Sequence, residues 1–172
     1  MAVAVSVSVS RPLALRLAPD AALAFLADIP AWAALFPHVA RIEPLAAPEL
    51  ATDSLAADSL AADSLGAFRW TMGPLGPPGA AVETVYACRY TRDAAARTLA
   101  WTPVDGVGNA RFSGSVALRP GEAGGTVGRL TLDAVLTVPA PAFVRALVVL
   151  AVRAEFERMV GTFAARLAAL EP

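Results

Sequence analysis

Few side chains in this sequence could do chemistry. The 172 residues include one histidine, His38, one cysteine, Cys88, and no lysine. A zinc site needs several converging histidine, cysteine or carboxylate ligands, and these two residues are far apart in the chain. The lack of lysine removes the usual Schiff-base and phosphate-loop chemistry, and no Gly-x-Ser-x-Gly motif presents a nucleophile. We therefore expect no metal, no cofactor and no catalytic triad.

Two tyrosines are the best-placed groups for hydrogen bonding or acid-base chemistry. Tyr86 and Tyr90 lie in the segment AVETVYACRYTRD, in which alternate residues from 82 to 90, with Cys88 among them, share one face of a predicted strand. On an inward face their hydroxyls could bind a ligand carbonyl or hydroxyl in an apolar pocket. The alternative is that both are core aromatics whose hydroxyls are satisfied at the rim of the sheet.

Arg158 and His38 are the remaining candidates. The helical spacing around Arg158 would let its guanidinium reach the head group of a ligand. The alternative role is an exposed ion pair with Glu155 or Asp133. His38 stands at a predicted boundary between helix and strand, where a lone histidine is more often a capping or surface residue than a catalyst. We assign no catalytic residue.

The charge balance argues against a nucleic-acid partner. Fourteen basic and fifteen acidic residues give a formal net charge of −1, and no block of like charge occurs. The long-range positive field that steers proteins to polyanions is therefore missing. The single Cys88 excludes an intramolecular disulfide and is expected to be a buried packing residue.

The apolar composition raises the question of a membrane span. The hydrophobic fraction is 56%, and the mean hydropathy is +0.56. The most apolar run, ALVVLAV at 146–152, is bracketed by Arg145 and Arg153 and is far shorter than the roughly 20 residues that a spanning helix needs. The start, MAVAVSVSVSRP, lacks the basic region of a signal peptide and alternates like a strand. We expect no transmembrane segment and a cytoplasmic location.

Alternating hydrophobicity predicts seven strands. The first covers residues 3–17, and the others are HVARIEPL, AFRWTM, AVETVYACRYTRD, RTLAWTPV, ARFSGSVALRP and GRLTLDAVLTV. Two short helices, APDAALAFLADIP and AWAALF, are predicted after the first strand and end at prolines. Short glycine-rich links between the later strands favour antiparallel pairing with one dry face.

A five-residue repeat interrupts this pattern. The segment DSLAADSLAADSL, 53–65, has a period that fits neither helix nor strand. We interpret it as an insertion in a hairpin loop, with a short helix or a lid over a cavity mouth as alternatives. The segment GPLGPPG, 73–79, has the composition of a turn.

The C-terminal residues 140–170 predict one long helix with two apolar sets. The first follows a spacing of three and four throughout and is expected to pack on the dry face of the sheet: Val149, Val152, Phe156, Met159, Val160, Phe163, Leu167 and Leu170. The second lies opposite, in the first half only: Phe143, Leu147, Leu150, Ala151 and Ala154. A helix that is apolar all round is enclosed or borders a cavity mouth, a dimer contact or a membrane.

This order of elements resembles the START/SRPBCC superfamily, the helix-grip fold. The segment LRLAPDAALAFLADIPAWAALFPHVARIEPL is similar to the first strand, helical bracket and second strand of the polyketide cyclase/dehydrase and lipid-transport branch. The resemblance covers about Ser6 to Leu170 and implies one α+β domain over 1–172. In that fold a curved seven-stranded antiparallel sheet wraps around the last helix and leaves a hydrophobic cavity. Trp32, Phe36 and Pro37 would then plug one end of the grip.

Within this resemblance we expect a module that binds or transports a hydrophobic small molecule such as a lipid, quinone or polyketide-like compound. A cyclase or aromatase that uses cavity shape with tyrosine and arginine groups is the first alternative, and a cavity-less protein that dimerises through its apolar helix start is the second. Transient membrane contact through the same helix start is also open. The expected ligand-binding residues are Phe68, Trp70, Tyr86, Cys88, Tyr90, Trp101, Phe112, Val149, Val152, Phe156 and Val160.

Overall fold

A computed structural model describes residues 2–46, 62–75 and 82–171. These residues form an antiparallel sheet of seven strands in the order β1-β7-β6-β5-β4-β3-β2. The strands are β1 Ala2–Leu15, β2 Val39–Pro44, β3 Asp63–Leu75, β4 Val82–Asp93, β5 Thr98–Pro103, β6 Ala110–Pro120 and β7 Thr126–Pro139. The seven predicted strands are thus confirmed. From β2 to β7 each strand pairs with the next one in the chain, and β1 pairs with β7.

Helices cover one face of this sheet. Helix α1, Pro19–Ala27, begins with a proline at its first turn, where no backbone N–H is needed. The predicted second short helix, AWAALF at 31–36, is a 3₁₀ helix at Ile29–Ala34 with Pro30 in its first turn, where no backbone N–H is needed. Helix α2, Arg145–Ala168, follows a 3₁₀ turn at Ala142–Val144. The helix-grip fold class predicted from the sequence is confirmed.

Strand β1 shows how alternation positions the core. Its valines at 3, 5, 7 and 9 are buried and the residues between them are exposed. The strand pairs with β7 along its whole length, from Ala2 opposite Pro139 to Leu15 opposite Thr126. At that end the Thr126 hydroxyl donates a buried hydrogen bond of 2.7 Å to the Leu17 carbonyl. The first and last strands therefore form one continuous ladder.

Helix α2 fills the concave side of the sheet mainly with its second half. Phe156, Val160, Phe163 and Leu167 are buried, whereas Val149, Val152, Met159 and Leu170 are half-buried. Arg166 of α2 donates to the carbonyls of Ala34 (3.1 Å) and Leu35 (3.3 Å), at the end of the 3₁₀ helix. The bracket before β2 is thereby held to the C-terminal helix, as the helix-grip resemblance implied.

A short connection between β5 and β6 covers part of the convex side. The Asn109 side chain accepts from the Val85 backbone N–H (2.9 Å) and donates to the Glu83 carbonyl (3.0 Å). Within β4, only Cys88–Asp93 pair with β5. The Asn109 amide therefore binds backbone groups at the start of β4 that β5 does not reach. Val104 packs beside it with Leu45, Ala67 and Ala87 in a second small core.

The structure describes only the end of the repeat segment 53–65. Asp63, Ser64 and Leu65, which we placed in the loop, are the first residues of β3, and Asp63 pairs with Arg92 of β4 through a 3.0 Å ion pair. A register shift follows them at Gly66, whose φ is +96°. In GPLGPPG the first three residues also belong to β3. Residues 53–61 and 76–79 of these segments lie outside the described residues.

No helix among residues 2–46, 62–75 and 82–171 is long and apolar enough to cross a membrane.

Candidate functional site: a cavity between the sheet and helix α2

A cavity of about 400 Å³ lies between the concave face of the sheet and α2. Strand residues form one wall: Trp70, Met72, Val82, Thr84, Tyr86, Tyr90, Trp101, Phe112, Leu132, Leu136 and Val138. The helices form the other: Trp32, Phe36, Val148, Ala151, Val152, Glu155, Phe156, Met159 and Val160. Most of this surface is aromatic or aliphatic, and Glu155 is the one charged side chain among these lining residues.

The structure brings eight of the eleven predicted site residues to the cavity wall. They are Trp70, Tyr86, Tyr90, Trp101, Phe112, Val152, Phe156 and Val160. Phe68 is half-buried beyond Tyr90, with ring centroids 6.0 Å apart. Val149 is half-buried against the core without lining the cavity. Cys88 shares the inward parity, but its small side chain is fully buried and its thiol donates to the Phe112 carbonyl (3.3 Å).

Several lining residues were missed in the sequence. Met72 and Thr84 have the same parity as predicted site residues on their strands, and Leu132 and Leu136 share one parity on β7, so alternation could have found them. Glu155 follows Val152 by three positions and precedes Met159 by four, which places all three on one side of α2. We had weighed Glu155 only as an ion-pair partner of Arg158.

Trp32 closes the inner end of the cavity. Its indole Nε1 donates to the Leu26 carbonyl at 3.0 Å, which ties the 3₁₀ helix to α1. The ring meets Trp101 edge-on with centroids 5.5 Å apart and Phe163 of α2 at 5.2 Å. Phe36 stacks on Phe163 at 4.2 Å. The segment around Trp32 is therefore the structural bracket of the fold, and part of the cavity wall.

A second aromatic group forms the middle of the wall. Tyr86 stacks on Phe112 with centroids 4.0 Å apart and on Trp70 at 5.7 Å. Phe112 in turn contacts Phe156 of α2 at 5.9 Å. Offset and edge-on aromatic contacts of this kind stabilise a core beyond simple burial, so the wall is preformed.

The two tyrosine hydroxyls of this wall and the Cys88 thiol beside them stay uncharged. Burial, followed by the nearby Cys88, raises the pKa of the Tyr86 hydroxyl well above its ordinary value, and burial does the same for Tyr90. Burial also raises the pKa of the Cys88 thiol to about 12. The groups therefore act as neutral hydrogen-bond donors and acceptors at neutral pH.

Trp70 contributes a donor without a regular partner. Its Nε1 is buried and makes no hydrogen bond of regular geometry within the described residues, although it lies near enough to the Tyr90 hydroxyl to lower that group's pKa. A buried donor without a partner of regular geometry costs free energy. The Trp70 indole and the Tyr90 hydroxyl are therefore neighbouring neutral polar groups within the aromatic wall.

One end of the cavity carries a cluster of charged and polar side chains. Glu155 accepts two hydrogen bonds from Arg158, one of them from Nε to Oε2 at 3.0 Å. Arg158 Nη2 also lies 3.0 Å from Nε2 of His38. The carboxylate raises the pKa of the Arg158 guanidinium, by hydrogen bonding first and by charge second. Arg158 forms the ion pair with Glu155 that the sequence allowed, and His38 is part of the same cluster.

Metal chemistry has no site in the described parts of the chain. Nowhere in residues 2–46, 62–75 and 82–171 do three or more histidine, cysteine, aspartate or glutamate side chains converge as metal ligands.

A curved antiparallel sheet that grips a C-terminal helix around an apolar cavity defines the helix-grip class of ligand-binding folds. Residues 4–168 match the model of the family described as polyketide cyclase/dehydrase and lipid transport. The chain therefore belongs to that family, and its resemblance to the START/SRPBCC superfamily is confirmed. No curated protein sequence matches the chain.

Solved structures share this fold at low sequence identity. A protein from Thermus thermophilus matches with a TM-score of 0.60 and 19% identity, covering 95% of this chain and 97% of that one. The Zhui aromatase/cyclase from a Streptomyces species has a TM-score of 0.60 at 16% identity, covering 94% and 93%. A STAR-related lipid transfer protein from Xanthomonas axonopodis has a TM-score of 0.58 at 18%, covering 93% and 85%. These matches establish the fold alone.

Proposed function

We propose that this protein binds and carries a hydrophobic small molecule of the lipid, quinone or polyketide-like kind in the cavity between sheet and α2. The observation that carries the proposal is a preformed aromatic wall around a space of about 400 Å³. Each CH₂ moved from water into such a space contributes about 0.8 kcal/mol, so apolar burial alone reaches micromolar affinity for a medium-chain molecule. The eight predicted residues on the wall are proposed as its contacts.

The neutral state of the two lining tyrosines supports carriage over catalysis. General acid-base catalysis works best with a pKa near the working pH, whereas burial moves Tyr86 and Tyr90 further away from it. The cyclase or aromatase alternative stays open because family members and structural neighbours include such enzymes. In that case the two hydroxyls would orient and protonate the substrate, with Arg158 at the mouth.

The start of α2 and the 3₁₀ turn before it favour delivery at a membrane surface. Phe143, Leu147 and Leu150 are exposed by 89%, 67% and 68% and form one stripe. Arg145 and Arg153 are exposed in the same stretch, and no acidic residue lies between Pro139 and Ala154. An apolar stripe with basic neighbours suits an anionic bilayer. The cavity-lining residues Val148 and Val152 lie on the same half of α2, so the proposed contact borders the ligand space.

The proposal is tested by native mass spectrometry of freshly purified protein, followed by extraction and identification of any retained molecule. Ala151→Trp should block retention, because Ala151 lines the cavity at an exposed part of α2. Ala154→Trp is the matched control, since Ala154 is exposed on the same helix and lies outside the lining. No retained molecule, together with no thermal shift across lipids and quinones, would contradict the proposal.

Replacing Tyr86 and Tyr90 by phenylalanine separates the binding function from the enzymatic one. A carrier would lose two hydrogen bonds, each worth about 1 kcal/mol, and keep its apolar affinity. A cyclase that depends on these hydroxyls would lose its turnover of a polyketide-like substrate by a factor of about a hundred or more. Product analysis before and after the change distinguishes the two.

A further inference from the structure

The mouth of the cavity holds a charge that an apolar ligand does not need. Glu155 lines the cavity and its side chain is 30% exposed. A charged carboxylate beside apolar surface is costly unless it is paired, and Arg158 on the next turn of α2 pairs with it. Two hydrogen bonds to Arg158 leave further acceptor positions on the carboxylate, since each oxygen accepts two.

The cluster around Glu155 has no net charge. Arg158 has only donors, so the His38 Nε2 atom that it faces at 3.0 Å must be an acceptor. The contact with Arg158 fits the tautomer that carries its proton on Nδ1. The positive charge of Arg158 and the negative charge of Glu155 cancel. His38 Nε2 also lies 3.9 Å from Glu155 Oε1, so the three side chains form one group.

The backbone of His38 helps to fix this group. His38 has a φ of +63°, an uncommon conformation for a residue other than glycine. Its carbonyl accepts a hydrogen bond of 2.6 Å from the Gly73 backbone N–H of β3. The sheet thus fixes the backbone of His38, whereas Glu155 and Arg158 belong to α2, and the contact between His38 and Arg158 joins the two elements at the mouth.

We propose that Glu155 accepts a hydrogen bond from an uncharged hydroxyl on the ligand, so that the molecule bound is an apolar alcohol or phenol. An anionic head would meet the Glu155 carboxylate, and a cationic head would compete with Arg158 for it. A neutral donor adds a bond without disturbing the pair. Arg158 and His38 are positioning residues in this arrangement. The inference rests on the proposed function and narrows it to a ligand class.

Three naphthalenes of similar shape test the inference by calorimetric titration: 2-naphthol, 2-methoxynaphthalene and 2-naphthoate. The wild-type protein should bind 2-naphthol about tenfold more tightly than 2-methoxynaphthalene, since a hydrogen bond to a charged acceptor is worth about that much at a partly exposed position. It should bind 2-naphthoate most weakly. In Glu155→Gln the preference for 2-naphthol should fall to about threefold or less, because a neutral acceptor remains.

The same variant should gain affinity for 2-naphthoate by about tenfold, because Arg158 loses its partner and becomes available to an anion. Binding of the methyl ether should stay unchanged, which also reports that the variant is folded. Glu157→Gln is the matched control, since Glu157 is exposed on α2, contacts Arg11 and lies outside this cavity. It should keep the wild-type order.

The outcomes separate the two proposals. Equal binding of the three compounds by the wild-type protein overturns the hydroxyl assignment and leaves the carrier proposal standing. Retention of the full 2-naphthol preference in Glu155→Gln overturns the role of Glu155 in the same way. No binding of any of the three naphthalenes overturns the inference, whereas the carrier proposal is decided by the retained molecule and by the thermal shifts with lipids and quinones.

Discussion

Trp101 lies directly against Gly114, its partner on the neighbouring strand β6. A Cβ added at Gly114 would overlap both the Trp101 ring and the Thr131 carbonyl oxygen. Glycine within a strand commonly marks such a close approach, and here it makes room for one aromatic side of the cavity. The small residue and the large one are therefore a single packing unit.

Gly114→Ala should lower the free energy of unfolding by about 1–3 kcal/mol, because neither the sheet backbone nor the packed indole can move freely. Urea denaturation followed by tryptophan fluorescence measures the change. Gly161→Ala is the control: Gly161 lies within α2, and an added Cβ meets no atom within 4 Å. It should raise stability by about 0.5–1 kcal/mol through helix propensity. Equal effects of the two changes would contradict this account.

The buried thiol predicts a loss of stability in alkali. The pKa of Cys88 is raised from its ordinary 9.0 to about 12, so the unfolded chain releases this proton first. The resulting stabilisation is fully present below pH 9 and is lost as the pH rises towards 12. The thiol alone should cost about 1 kcal/mol of unfolding free energy between pH 8 and pH 10.

Urea denaturation across that pH range should therefore show a smaller slope in Cys88→Ala than in the wild-type protein. Tyr86 and Tyr90 contribute in the same direction in both proteins, because their pKa values are also raised. An identical pH dependence of the two proteins would show that the thiol ionises as easily folded as unfolded.

The exposed stripe of α2 predicts binding to anionic vesicles. Leu147→Glu with Leu150→Glu should weaken co-sedimentation with vesicles of phosphatidylcholine and phosphatidylserine by at least tenfold, since two apolar contacts are replaced by repelled charges. Ala165→Glu, an exposed change on the other half of the same helix, should have little effect. A wild-type dimer in solution that the double change converts to a monomer would instead support the dimer alternative.

The two side-chain hydrogen bonds of Asn109 predict that the convex side of the sheet contributes to stability. Asn109→Ala removes both the acceptor for the Val85 N–H and the donor for the Glu83 carbonyl, and should cost about 1–2 kcal/mol of unfolding free energy. Asn109→Asp keeps the acceptor and loses the donor, so its cost should be smaller or similar. Thermal denaturation of both variants is the measurement. An unchanged midpoint in Asn109→Ala would mean that water replaces the amide without cost.

The fold was predictable because two simple periods run through most of the chain. Period-two alternation located the strands, and the spacing of three and four located α2. Alternation also indicated that Trp70, Tyr86, Trp101 and Phe112 face inward. Alternation could not distinguish a residue that lines the cavity from one that is packed in the core. Cys88 has the same parity as Tyr86, but its smaller side chain is fully buried and does not reach the cavity.

Periodicity could not predict the cluster of His38, Glu155 and Arg158 at the mouth of the cavity. His38 and Arg158 are 120 positions apart, and only the sheet and α2 together bring them within 3.0 Å. The prediction for the end of the five-residue repeat was wrong for another reason. Its period matches no regular element, so the start of β3 at Asp63 was assigned to the loop. Local patterns predict elements, whereas contacts between distant elements need the assembled fold.

The ladder between β1 and β7 has a consequence for biosynthesis. Ala2 pairs with Pro139 and Leu15 with Thr126, and β7 is the only strand on which β1 pairs in the described sheet. A ribosome therefore releases the valine-rich first strand long before its partner exists, and loop closure over that separation is slow. During this interval β1 is an unpaired apolar strand, prone to aggregation. Productive folding of this chain must wait for the last strand.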